Sequence, residues 1–163
     1  MSHKINTIRA KIIINVQGDE PLINPKDIKK IIKAKKKFPN HVICGFDRVH
    51  KYENPYSVNL PKVVVNSKND LIYMSRSPIP GSKKNQKEKK FHKQVCIYAF
   101  NKTQLNKYCK NRKKSEIEMI EDIEILRFFD LNIKIKMIRL NSRSIAVDEK
   151  SDVKKVEKQL LKI

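Results

Sequence analysis

At 163 residues the chain has room for one domain with a real core, and nothing in it marks a second domain or an internal repeat. Its 37 Lys and Arg stand against 17 Asp and Glu, a net charge of +20, with lysines scattered through every segment rather than gathered into one patch. That scatter reads as solvated faces, and no interleaved aromatic platform, zinc-finger spacing or RNA-binding motif points to nucleic acid, although the field would attract an anionic ligand such as a nucleotide. No apolar run approaches the roughly 18 residues of a membrane span, and no signal-type segment opens the chain. Cys44, Cys96 and Cys109 lack metal-type spacing and read as reduced, packed thiols, so a soluble cytoplasmic protein is expected.

Met1 to Ala10 is a polar lead-in with no phosphate-binding glycine pattern. Ile12 to Ile14 with Val16 form a β-branched run that predicts a short strand buried on both faces, ended by Gly18 and Pro21. Asp19 and Glu20 then stand at its carboxyl end, where open α/β sheets bind ligands; taken alone, Gly18-Asp19-Glu20 reads rather as a solvated turn. Asn24 as cap, Pro25 at the first helical position and the Ile28, Ile31, Ile32 stripe predict a helix over 25–37. His41 to Phe46 predicts the next strand, and strand–helix–strand at this spacing suggests a crossover joining a parallel pair. Asp47 opens a polar loop through Pro61, followed by a hairpin of strands 62–66 and 71–75. The lysine-rich tract 82–93 is expected to be a mobile loop. Val95 to Phe100 reads as a strand, and Asn101 or Thr103 as the cap of a short helix through Cys109. Ser115 and Glu118 form a capping box for a helix over about 116–129, with Ile117, Ile120, Ile123, Ile125, Leu126 and Phe128 facing the core. A strand over 132–140 with lysines alternating outward and a last helix over 150–162, capped near Ser151, complete the pattern.

The run from Asn15 to Pro21, N-V-Q-G-D-E-P, resembles the V-N-V-Q-G-D-E-P segment of the sugar-acid cytidylyltransferases, above all those acting on 3-deoxy-manno-octulosonate (Kdo). Four further segments agree in the same order. Ser75 to Pro80 looks like the family's S-R-x-x-I-P, and Ile97-Tyr98 like the end of its H-x-G-I-Y strand. Glu118 to Arg127 looks like E-x-x-E-x-L-E-Q-L-R, and Val147-Asp148 with Ser151 to Val153 like V-D-T-P-E-D-L. The resemblance implies an α/β fold of the nucleotide-diphospho-sugar-transferase type, a Rossmann-like mixed sheet with flanking helices. It implies transfer of CMP from CTP to an acidic sugar, with Mg²⁺, during lipopolysaccharide synthesis. It also implies that Asp19 and Asp148 are the catalytic metal ligands, that Gln17 and Gly18 shape the cleft, that Tyr98 and Glu124 meet the sugar acid, and that Arg76 assists with anionic groups.

Three departures bear on this. Gln94 stands where the Kdo enzymes carry a histidine at the sugar, and Ile125 where they carry a glutamine, so the acceptor is expected to be Kdo or a related acidic sugar. The family's A-R-x-x-S-x-R-L-P-G-K loop, which cradles the CTP phosphates, has no match in these 163 residues. The chain thus reads as a truncated domain over 1–163, corresponding to the family's C-terminal two-thirds, without independent catalysis and with a homodimer or a complementing chain as partner. Two other readings stay open: a non-catalytic remnant serving as a dimerising or binding module, and a basic nucleic-acid-binding protein, for which only the charge speaks.

Overall fold

The computed structural model describes residues 9–83, 90–110, 113–142, 144–147 and 149–161. Its centre is a mixed sheet of β1 (Ile13–Val16), β2 (Val42–Arg48), β3 (Lys62–Val65), β4 (Leu71–Ser75), β5 (His92–Phe100) and β6 (Ile135–Arg139). The strand order is β4-β3-β5-β2-β6, with β1 also paired to β5. β2 and β6 run parallel, whereas each pairing made by β5 is antiparallel. On one face helix α1 (Pro25–Lys37) packs Ile28, Ile31 and Ala34 against Ile43, Val95, Ile97 and Leu140. On the other face lie α2 (Lys102–Lys110), α3 (Glu116–Glu121), a 3₁₀ turn (Glu124–Leu126) and α4 (Arg127–Asp130). They cover a larger core that includes Val42, Phe46, Met74, Phe100, Phe128 and Met137. A last helix, α5 (Lys150–Leu160), buries Val156.

Helix α1 begins where expected: Asn24 Oδ1 accepts from the Lys26 amide, and Pro25 occupies a position whose N–H needs no partner. The capping box of α3 is formed in both directions between Ser115 and Glu118. The hairpin leaves the sheet after Lys62, its one residue paired with β5, and its tip reaches β6 through the Asp70–Lys136 bridge and the Met137 amide on the Asn69 carbonyl.

Several expectations are corrected. β1 and β2 are not neighbours; β5 stands between them, so they share a direction without sharing a ladder. β5, nine residues long and mostly buried, takes the centre, while the four-residue β1 lies at the periphery with Val16 39 % exposed, not buried on both faces. β2 runs on to Arg48 and β5 starts at His92, so the loop expected from Asp47 and the lysine tract are both shorter than read; residues 84–89 of that tract lie outside the described residues. The helix over 116–129 is broken: Asp122 adopts a left-handed conformation (φ 48°), which Asp tolerates better than most residues, and the chain restarts as a 3₁₀ turn. Ile120 consequently faces solvent, 74 % exposed. Lysines in β6 do not simply alternate outward, since Lys136 is buried and ion-paired to Asp70. The last helix is capped by Glu149, not Ser151.

Candidate functional site

The carboxyl end of β1, the middle of β5 and the break after α3 enclose a cleft of about 190 Å³. One wall is the turn after β1. Gln17 and Asp19 line it half-buried, and Glu20 is buried, its Oε1 accepting from the Cys96 amide at 2.6 Å. Asp19 Oδ1 is shielded from solvent and has no hydrogen-bond partner, a costly state for a carboxylate oxygen that a bound cation would relieve. The Asp19 carbonyl accepts from the Val147 amide at 2.8 Å, so the segment leading to position 148 runs beside the turn. Asp148 itself lies outside the described residues.

The floor is β5. Gln94 is buried and its amide nitrogen donates to the Tyr98 hydroxyl at 2.6 Å. Burial pushes the Tyr98 phenol well above its ordinary pKa, so it stays neutral and can still donate a hydrogen bond. The Cys96 and Cys44 thiols are likewise pushed up by burial, which keeps them from acting as thiolates. Lys93, also buried, pairs with Glu53 and donates to the Ser144 carbonyl, fixing the loop above the cleft.

The opposite wall is Asp122, Ile123 and Glu124, and its shape depends on the break in the helix. The left-handed turn at Asp122 sends Glu124 to the surface and Ile125 into the core; Ile125 is buried and does not line the cleft. Arg76 braces this wall. Its guanidinium donates to the carbonyls of Glu121 (2.6 Å), Val58 (2.8 Å) and Asp122 (2.9 Å), so three of its donors serve the scaffold. Burial raises the Glu121 carboxyl, but hydrogen bonds from Ser75, the Arg76 amide and Tyr73 outweigh it and hold the group below its ordinary value. Glu121 thereby ties the end of β4 to α3.

Of the residues singled out in the sequence, Gln17, Asp19, Arg76, Gln94, Tyr98 and Glu124 meet around one cleft. Gly18 does not: it is exposed on the outside of the turn, with no atom within 4 Å of where a Cβ would sit. Sequence reading placed Glu20 at the strand's ligand-binding end without giving it a role, and missed Glu53, Lys93 and Cys96. Cys96 had a signal, since it occupies the glycine position of H-x-G-I-Y; the Lys93–Glu53 pairing spans a loop and had none.

A family model described as cytidylyltransferase matches residues 1–136. The chain is 34 % identical over 149 residues to a 3-deoxy-manno-octulosonate cytidylyltransferase of Nitratiruptor sp., covering 90 % of this chain and 61 % of the relative. It is 32 % identical over 155 residues to that of Escherichia coli, covering 93 % and 61 %. The chain therefore spans about three-fifths of the length of these relatives. Among solved structures, CMP:2-keto-3-deoxy-manno-octonic acid synthetase complexed with CTP superimposes with a TM-score of 0.85 at 29 % identity, over 99 % of this chain and 66 % of the other. A mixed sheet shared across nearly the whole chain, the sequence segments that bound the cleft and the family match together place this chain in the cytidylyltransferase family, similar to its 3-deoxy-manno-octulosonate members.

Proposed function

We propose that this chain forms the sugar-acid and cation side of a site that transfers CMP from CTP to Kdo or a related acidic sugar, releasing pyrophosphate. The observation that carries this reading is the unpartnered, buried Asp19 oxygen on a cleft whose floor is the Gln94–Tyr98 pair. Asp19 suits Mg²⁺, a hard ion that favours carboxylate and phosphate oxygens; Asp148 would be the second carboxylate. Held there by Asp19 and Asp148, such an ion would supply positive charge against the phosphates. Gln94, Tyr98 and Glu124 orient the acceptor by hydrogen bonds, so that its anomeric hydroxyl faces the α-phosphorus; the new P–O bond forms as the bond to pyrophosphate breaks. Arg76 and Glu121 keep the Glu124 wall in place rather than meeting the substrate directly.

The cleft is lined by Asp19, Glu20, Glu53, Asp122 and Glu124 against Arg76 and Lys93, both of which are engaged within the protein. Such a lining holds a triphosphate only with cations and with basic donors brought by a segment like A-R-x-x-S-x-R-L-P-G-K. The test is pyrophosphate release from CTP with a panel of sugar acids, for the 163-residue chain alone and with a separately supplied segment bearing that loop. The chain alone should stay far below roughly 1 s⁻¹, the lower end of ordinary turnover. Activity should appear on complementation, with at least one sugar acid. Failure with every sugar acid after a stable complex has formed would overturn the transferase reading and favour a binding module.

A further inference from the structure

β5 is irregular where it meets the cleft. Tyr98 is opposite Cys44 and Val95 opposite Gly45, so Cys96 and Ile97 have no counterpart on β2. A bulge of this kind bends a strand and re-aims its side chains, but it also leaves backbone groups without ladder partners. On the other edge of β5, facing β1, the Cys96 amide and carbonyl find their partners in the turn after β1. The Gln17 amide donates to the Cys96 carbonyl at 3.2 Å, and Glu20 Oε1 accepts from the Cys96 amide at 2.6 Å. The turn thus extends the β1–β5 pairing beyond Val16 and Ile97, with a buried carboxylate in place of a backbone carbonyl. Gly45 is what lets the two strands close at this point, since a Cβ there would lie 3.1 Å from the Val95 carbonyl oxygen and 2.6 Å from Leu140 Cδ1.

From this we infer that Glu20 is a positioning residue: its carboxylate clamps the turn to the β5 bulge and so fixes Asp19 relative to Gln94 and Tyr98. A carboxylate buried at 6 % exposure is expensive unless its bonds do something a shorter or apolar side chain could not. Glu20 supplies an acceptor to the Cys96 amide, and it lies next in sequence to the carboxylate proposed to hold the cation. The bulge turns the floor toward the cleft, and the clamp sets how far the cation ligand stands from it. The functional part of the inference rests on Asp19 being the cation ligand, whereas the clamp itself does not.

The test uses the whole chain labelled for NMR, with Mn²⁺ as a paramagnetic stand-in for Mg²⁺, and compares Glu20→Gln with Glu20→Ala. Gln keeps an acceptor oxygen at the same reach; Ala removes it. In Glu20→Ala, hydrogen exchange at the Cys96 amide should accelerate by about 10- to 100-fold, the scale of losing a hydrogen bond to a charged group. In Glu20→Gln it should stay within about tenfold of the parent. Amides in β6 should be unmoved in both variants, which separates the clamp from general unfolding. Mn²⁺ should broaden amides of both 17–20 and 96–98 in the parent and in Glu20→Gln, but chiefly those of 17–20 in Glu20→Ala. Unchanged Cys96 exchange or an unchanged broadening pattern in Glu20→Ala overturns the positioning role. If the unsubstituted chain shows no broadening at 17–20, the cation reading of Asp19 falls, and the exchange comparison still upholds or overturns the clamp.

Discussion

Asp19 and Gln94 line the same cleft, one on its wall and one on its floor, and each has a separable effect. On the proposed reading, in an enzyme completed with the phosphate-binding loop, Asp19→Asn keeps the size of the side chain but loses the charge that would hold the cation. Turnover should fall by about 10²–10³, the scale seen on removing one preorganised electrostatic contact, with the fold intact by circular dichroism. Gln94→His tests specificity instead. Gln94 donates to the Tyr98 hydroxyl, so a new ring there changes which sugar hydroxyls find partners. Ratios of kcat/KM among sugar acids should move by about tenfold or more while KM for CTP holds. An unchanged ranking would remove Gln94 from the sugar contacts.

At the scale of elements, the broken segment 116–130 is held by a buried ion pair. Glu118, inaccessible to solvent, accepts from Arg127 through both carboxylate oxygens, and the guanidinium lies 4.0 Å from the centre of the Tyr108 ring. Glu118→Ala would leave Arg127 buried without its counter-ion and should cost about 3–5 kcal/mol in denaturant unfolding. The pair also sets a pH dependence. Burial raises the Glu118 carboxyl, but the Arg127 hydrogen bonds and the Ser115 amide outweigh it and hold its pKa below the ordinary value. The folded state therefore favours the ionised form. Its stabilisation is complete above the unfolded pKa of about 4.3 and is lost as pH falls through the lower folded value. Glu118→Gln should thus be less stable at neutral pH yet fall less steeply below about pH 4.3; parallel acid-unfolding curves would count against the assignment.

For the whole molecule, the weakest part is the β1 side. Among the described residues β1 pairs with β5 alone, Val16 is 39 % exposed, and Ile12, Ile14, Ile23 and Ile28, which pack against the smaller core, are themselves only partly buried. A short strand whose other edge pairs with no described residue, beside partly exposed apolar side chains, favours association or modest stability. Sedimentation should show concentration-dependent self-association, or the isolated chain should melt below about 65 °C, the upper end of the usual mesophile range. A monomer melting cooperatively above that temperature would defeat this expectation. Among the described residues no helix is long and apolar enough to cross a membrane.

The start of α1, the Ser115–Glu118 capping box, the β3–β4 hairpin and the segments that bound the cleft were legible in the sequence, because each depends on residues a few positions apart: Asn24 with Pro25, Ser115 with Glu118, Asp19 at the end of an apolar run. What lies between β1 and β2 was not legible, since β5 enters from more than forty residues away and nothing local to either strand announces it. The same holds for the buried lysines. Lys35, Lys62, Lys93 and Lys136 look like their solvated neighbours in sequence, yet each is buried, and each has acceptors brought to it by other parts of the chain. Periodicity alone extended the helix of 116–129 through Asp122, and only the tertiary packing of Ile123, Ile125 and Leu126 on the sheet decided that the chain should turn there. Local sequence sets caps, turns and apolar faces through short-range sterics and hydrogen bonds. Strand order, the bulge at Cys96 and the acceptors of buried charges are settled by long-range packing, where the cost of an unpaired polar group or an uncovered apolar face selects among arrangements that are locally equivalent.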